Sequence, residues 1–289
     1  MSGKLNFTAP TALQYFATLV ADDASLSQLE AAVAVAQDVH PRLDTQSVLA
    51  EVDLLAATVR QRIPADAGAL QRLRLLNRYF FHELGFSGNV NDYHDPANSY
   101  LPDVLARRRG IPISLAILYI ELATQVGLRA VGVSFPGHFL VKLHMPQGEV
   151  VVDPFTGQSL SRDQLEERLQ PFRRRAVLRD EEDVPLGLYL QAAPPRDVIA
   201  RLLRNLKEIH RNAGDLQLLL AVQERLVILL PEDRNERRDR GLVQAELGRR
   251  DLACDDIADY LAHHADAADA PALRRHLRDW RAAPPPALH

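Results

Sequence analysis

The spacing of apolar residues changes twice along this 289-residue chain, and that change limits the fold more than any other feature. Up to Leu84 the apolar positions recur every three to four residues, as on one face of a helix. Leu29, Val33 and Ala36 mark the first face, over Ser27–Val39; Val48, Val52, Leu55 and Val59 mark the second, over Thr45–Arg62. Leu70, Leu73, Leu76, Phe80 and Leu84 mark the third, over Asp66–Leu84. Between Arg129 and Val152 the signal is instead three short strand-like runs, Arg129–Phe135, His138–Leu143 and Glu149–Val152, parted by turns at Pro136-Gly137 and Met145–Gly148. Such turns make an antiparallel meander. Helical spacing returns from Ala200. The fold class expected is α+β, mainly helical, with a small antiparallel sheet packed on a helix.

That helix is the next constraint. Gly110-Ile-Pro-Ile-Ser114 opens it, with Pro112 suited to a first turn and Leu115, Leu118, Tyr119, Leu122 and Val126 forming a buried stripe. Ser114 therefore sits where backbone N–H groups are unpaired and the macrodipole is positive. Taken alone, a first-turn serine is most often a cap. His138 begins the middle strand and Asp153 ends the third, at adjacent ends of an antiparallel pair if Met145–Gly148 is the hairpin. Ser114, His138 and Asp153 thus follow one another as nucleophile, imidazole and carboxylate. The loop before them, from Gly85 to Tyr100, is crowded with Asn and Asp, which satisfy turn backbone, and with aromatics that anchor it. Asn98 and, more weakly, Asn89 are its candidate oxyanion donors.

Composition removes several classes of function. Lys plus Arg number 34 against 38 Asp plus Glu, a net charge of −4, which argues against binding nucleic acid through bulk charge. The single cysteine, Cys254, excludes an intramolecular disulfide and a cysteine-rich metal site, and it reads as helix packing. Tyr93-His94-Asp95 reads as a structural turn, so neither metal nor cofactor is expected. The longest apolar stretch, Ile111–Leu122, is broken by Pro112, Ser114 and Glu121, too short to span a bilayer. No secretory pattern opens the chain, and the cytoplasm is the expected location.

Beyond Asp153, Ser161–Leu169 reads as a helix capped by Ser161, and Arg173–Pro185 as charged strand or loop. Pro194-Pro195 marks the domain boundary, giving residues 1–193 and 194–289. Within the second part Gly214 and Gly248 stand 34 residues apart, as do the turns around them, and helices follow near 200–213, 215–230, 234–247 and 251–263, with a last one over Pro271–Trp280. Two such units fall short of the roughly three an array needs to stand alone.

The motifs Gly85-Phe-Ser-Gly-Asn89, Asp92-Tyr-His-Asp-Pro-Ala-Asn-Ser-Tyr-Leu-Pro102, Arg109-Gly-Ile-Pro-Ile-Ser114, Pro136-Gly-His-Phe-Leu140 and Asp153-Pro-Phe155 carry a family resemblance. The run from Asn77 to Pro154 resembles the transglutaminase-like core of the bacterial family named after the SirB invasion regulator, in which tetratricopeptide-type helices follow the core. The resemblance implies a papain-like fold in which true transglutaminases place Cys, His and Asp at the positions of Ser114, His138 and Asp153. A thiol reaches its thiolate with modest help, whereas a serine needs a base for its proton. Two functions follow. The first is a protein-interaction or regulatory protein on an inactive core, with a protein or peptide partner held by the repeat helices. The second is a serine-dependent amide or ester hydrolase or acyltransferase using the three residues, with His138 as base and Asp153 fixing its tautomer.

Overall fold

A computed structural model of the chain describes residues 10–177 and 184–282. In order, α1 spans Ala12–Leu19, α2 Gln28–Val35, α3 Thr45–Gln61 and α4 Ala69–Asn77, the last continued by a π turn over Arg78–Glu83. Then come β1 (Ser87–Gly88), α5 (Leu101–Arg107), β2 (Arg109–Gly110) and α6 (Pro112–Gln125). The strands β3 (Arg129–Val133), β4 (Leu140–Met145), β5 (Gly148–Asp153) and β6 (Gln158–Leu160) follow. The rest is helical: α7 (Arg162–Val177), α8 (Leu186–Tyr189), α9 (Pro195–Ala213), α10 (Leu216–Leu229), α11 (Arg234–Glu246), α12 (Arg250–His263) and α13 (Ala270–Ala282). The architecture is α+β and mainly helical.

The chain divides into two compact units, one of residues 27–36 and 42–202, the other of residues 1–26, 37–41 and 203–289. In the first, β3-β4-β5-β6 form one antiparallel sheet in sequence order, with Val133 opposite Leu140 and Lys142 opposite Val151. Successive side chains of a strand take opposite faces. Val133, Leu140, Val151 and Leu160 therefore share one face, where they join Leu165 and Leu169 of α7 and Leu186 of α8 in a buried cluster. The other face receives α6, whose residues from Pro112 to Tyr119 are all buried. Helices α2, α3 and α4 pack around α6 in turn, and Tyr119 donates a hydrogen bond to Asn77 Oδ1 at 2.5 Å.

Several sequence expectations change. Leu70, expected on a buried face, is 51% exposed, because α4 starts only at Ala69 and its first turn lies beyond the packed stripe of Leu73 and Leu76. His138 lies before β4 rather than on it, in a turn where Gly137 holds φ +69°, a left-handed conformation that costs glycine little. Helix α7 runs through Pro171 to Val177 where Arg173 onward reads as strand or loop. A pair within the helix and one tertiary contact hold that extra turn: Arg173 pairs with Glu166 two turns back, and the Phe172 ring lies against Gly137. Residues 178–183 of that stretch lie outside the described residues. Strand β6 and helix α1 both form where no element is expected, the latter capped reciprocally by Thr11 and Gln14.

In the second unit α10, α11, α12 and α13 each pack on the next, and α1 packs on α10. The two repeats are thus flanked by α1 at one end and α13 at the other. Arg225 of α10, buried, fastens two N-terminal pieces: it lies over the Phe16 ring of α1 and pairs with Asp38, in the turn after α2, at 2.6 Å. Between α9 and α11, Lys207 donates to Glu236 and to Asp239, both at 2.6 Å, and Arg204 reaches Glu236 at 2.9 Å. Among the described residues no helix is long and apolar enough to cross a membrane.

Candidate functional site

Asp153 ends β5 on the same sheet face as Val151, the face that α7 covers, and this is how Arg168 of α7 reaches it. Its side chain is 1% exposed, so an unpaired charge there would be costly. One oxygen, Oδ1, accepts from His138 Nε2 at 2.8 Å and from the Phe155 backbone N–H at 3.0 Å; the other, Oδ2, accepts from Arg168 Nη1 at 3.0 Å. Burial pushes this carboxyl up, but the hydrogen bond and charge of His138, with Arg168 and the Phe155 N–H, outweigh it and hold Asp153 below the ordinary carboxylate range.

An ionised Asp153 fixes the imidazole. It draws the proton of neutral His138 to Nε2 and leaves Nδ1 as the lone-pair nitrogen. The turn behind His138 is fixed too, since Arg201 of α9 donates to the His138 carbonyl at 2.8 Å and to Ser134 Oγ at 2.7 Å while lying over the Phe139 ring. In front stand aromatic groups: the Phe155 ring meets His138 edge-on at 6.3 Å, and Tyr93 tilts over Phe155 at 6.0 Å.

Ser114 stands in different company. It is fully buried in the first turn of α6. Its Oγ donates to the Asn98 carbonyl at 2.6 Å, lies 3.1 Å from the Ile111 carbonyl, and accepts from the Ile111 N–H at 3.1 Å. Among the described residues none of its hydrogen bonds goes to His138. Gly110 is fitted to this arrangement, since a Cβ there would stand 2.7 Å from Ser114 Oγ. The structure therefore joins His138 to Asp153 and joins Ser114 to the 98–111 backbone.

The two asparagines knit the loop. Asn98, fully buried, donates from Nδ2 to the Asp92 carbonyl at 2.7 Å and accepts at Oδ1 from Asn89 Nδ2 at 3.1 Å. Asn89 Oδ1 accepts from the Asp92 N–H at 3.2 Å. Below them Gly88 lies under the Phe155 ring, where a Cβ would stand 2.2 Å from a ring carbon, and its N–H donates to the Phe155 carbonyl at 2.8 Å. A surface cavity of about 370 Å³ opens elsewhere, between Gly68–Leu70 and Met145–Val150, and none of the predicted site residues lines it.

Sequence reasoning missed Arg168, Arg201 and Tyr93. Arg168 and Arg201 sit on helices whose pattern gives their own faces but not their neighbours. Tyr93 was legible only as an anchor of the loop, and Phe155 only as part of a motif. No group of three metal-ligating side chains stands together among the described residues.

A family model of the transglutaminase-like superfamily matches residues 46–204, and a tetratricopeptide-repeat model matches residues 206–278. A UPF0162 protein of Xylella fastidiosa strain 9a5c is 36% identical over 259 residues, which is 89% of this chain and 91% of that protein. A UPF0162 protein of Pseudomonas aeruginosa is 33% identical over 70% of this chain and 72% of its own length. Protein SirB1 of Salmonella typhimurium is 30% identical over 75% of this chain and 80% of its own length. No solved structure matches.

Proposed function

This chain belongs to the transglutaminase-like superfamily and, within it, to the family of UPF0162 and SirB1 proteins, and from that premise we propose that it is a protein-interaction or regulatory protein built on a catalytically silent core. The observation that carries the reading is where the Ser114 proton points. A serine nucleophile must pass that proton to a base as it attacks. Here the hydroxyl donates to the Asn98 carbonyl at 2.6 Å, and a backbone carbonyl is no base. The two carbonyls and one N–H around Oγ saturate it as a helix cap, and burial keeps a substrate carbonyl away. A thiol at this position would have needed less help, because its ordinary pKa of about 8.5 lets modest assistance produce the thiolate.

The second half of the reading rests on the helical repeats, a kind of module that typically mediates contacts between proteins. The partner is then a protein or peptide, met in the cytoplasm. A serine-dependent amide or ester hydrolase or acyltransferase remains the second reading, and one observation favours it: His138 and Asp153 keep the geometry of a base and its orienting carboxylate. A serine-reactive fluorophosphonate decides between them. The expected result is no adduct on Ser114 in the native chain. An adduct on Ser114 that disappears in a His138→Ala variant overturns the silent-core reading.

A further inference from the structure

The last helix of the second unit carries a line of arginines unlike those from α9 to α11. From Leu203 to the end of α11 every arginine is paired with a carboxylate: Arg204 with Glu236, Arg211 with Glu208, Arg225 with Asp38, Arg234 and Arg237 with Asp259, Arg238 with Asp269, and Arg240 with Asp256. On α13, Arg274, Arg275, Arg278 and Arg281 are exposed, and among the described residues none meets a carboxylate within ion-pair distance. Arg274 spends one Nη2 donor on the Ala265 carbonyl at 2.7 Å. The helix holds four arginines against one aspartate, Asp279, in a chain whose net charge is −4.

The placement is as informative as the number. Leu273, Leu277 and Trp280 pack against Ile257 and Tyr260, which fixes the rotation of α13 about its axis. Arg274, Arg278 and Arg281 fall at i, i+4 and i+7, on a single solvent-facing line. A terminal helix needs a polar outer face to stay soluble, but mixed charge serves that purpose. Like charges at i, i+4 weaken a helix. Solubility alone therefore does not account for a stripe of one sign.

We propose that this face of α13 docks an acidic segment of a partner protein. The proposal rests on the interaction reading above and names its surface and the chemistry of its partner. A guanidinium accepts a carboxylate as a two-pronged, charge-assisted pair, which suits Asp and Glu side chains. Along the axis Arg274 and Arg278 are about 6 Å apart and Arg278 and Arg281 about 4.5 Å. Same-side residues of an extended chain are about 6.6 Å apart, so two alternate acidic residues of a bound strand match Arg274 and Arg278, and the long side chain of Arg281 reaches the same pair or the next residue. A nucleic acid fits less well, because the line is only about 10 Å long and the rest of the chain is acidic.

The test uses the full chain and fluorescein-labelled decaglutamate, read by fluorescence anisotropy at low salt. The expected result is saturable binding that weakens about tenfold or more in Arg274→Glu/Arg278→Glu/Arg281→Glu and weakens further with added salt. Arg249→Glu, at an exposed position in the turn between α11 and α12, serves as the control and leaves it unchanged. Trp280, the only tryptophan, sits on the same helix, so its emission shifts on binding. If circular dichroism finds the triple variant unfolded, Arg278→Ala alone replaces it, with a smaller loss expected. Absence of saturable binding, or binding that the α13 substitutions leave intact, overturns the proposal. So does tighter binding of single-stranded DNA of equal charge or of anionic phospholipid vesicles. Failure here with Ser114 still unlabelled by fluorophosphonate removes the docking surface and leaves the silent core standing. Labelling of Ser114 removes the silent core whatever decaglutamate does.

Discussion

Asp153 in the transglutaminase-like unit and Asp38 in the repeat unit are both largely buried carboxylates facing an arginine, yet they are displaced in opposite directions. Burial pushes each of them up. At Asp153 three further donors are aimed at the two oxygens, His138 Nε2, the Phe155 N–H and Arg168 Nη1, and together they pull the group below its ordinary value. At Asp38 the opposing contribution comes from one residue, Arg225, while Glu224 adds to the upward push, and burial wins. Opposite charge alone does not secure a buried carboxylate; the number of donors aimed at it does. The difference fits the two jobs. Asp153 orients an imidazole in a turn, whereas Asp38 and Arg225 fasten an N-terminal segment to a helix 187 residues further along the chain.

The comparison breaks most visibly at Asp38. Protonated Asp38 still offers Arg225 a carbonyl acceptor, but Asp38→Ala removes the acceptor altogether and leaves the buried guanidinium, which cannot shed its proton, without a carboxyl to bond. The expected cost is about 3–5 kcal/mol of unfolding free energy, measured by urea titration of Trp280 emission. Restoring an apolar pair in Asp38→Leu/Arg225→Met should recover most of it. A loss below about 1 kcal/mol in the single variant would mean that the guanidinium finds water. Arg168→Ala tests the other carboxylate and should cost less, about 1–3 kcal/mol, because Asp153 keeps two of its three donors and Arg168 is itself about one-third exposed. If Arg168→Ala proved the more damaging of the two, the contrast between the sites would be wrong.

Ser114→Ala is expected to cost about 0.5–1.5 kcal/mol. The Ile111 N–H keeps its second acceptor, the Asn98 carbonyl at 3.2 Å, so no donor is orphaned. Ser114→Cys adds a thiol that iodoacetamide should not reach until the chain unfolds, since the position is fully buried. Alkylation of the native variant beyond that of half-buried Cys254 would contradict the burial that supports the silent core.

How much of this was legible beforehand follows the range of the interactions. The meander and the α6 start were readable because period-2 and period-3.6 patterns and Pro112 are local signals. Hence His138 and Asp153 could be paired from a hairpin alone. The alternative partners of Ser114 were not readable, because the Asn98 carbonyl is backbone and every residue has one. Arg168 and Arg201 lie on helices whose own periodicity says nothing about which strand end they meet. Likewise Phe16 of α1 and Asp38 meet Arg225 across a long stretch of sequence, and the pattern of two repeats pointed to the last helix as their cover but not to α1.

The smallest expected effect is also the sharpest discriminator, because it turns on a sign. Asp153 titrates lower in the folded chain than in the unfolded one, where a carboxyl loses its proton near pH 3.9. It therefore adds stability that is fully present above that pH and is lost as the pH falls through the depressed folded value. Asp38 titrates higher when folded. Its ionisation weakens the fold as the pH rises from about 3.9 through the raised folded value, and stability returns on acidification. Urea midpoints from pH 7 to pH 3 for the wild type, Asp153→Asn and Asp38→Asn isolate the two contributions as differences from the wild type. The Asp153 difference should shrink only below about pH 4, whereas the Asp38 difference should move the other way and begin above it. Two differences with the same sign of pH dependence would mean that a single arginine serves a buried carboxylate as well as three converging donors do.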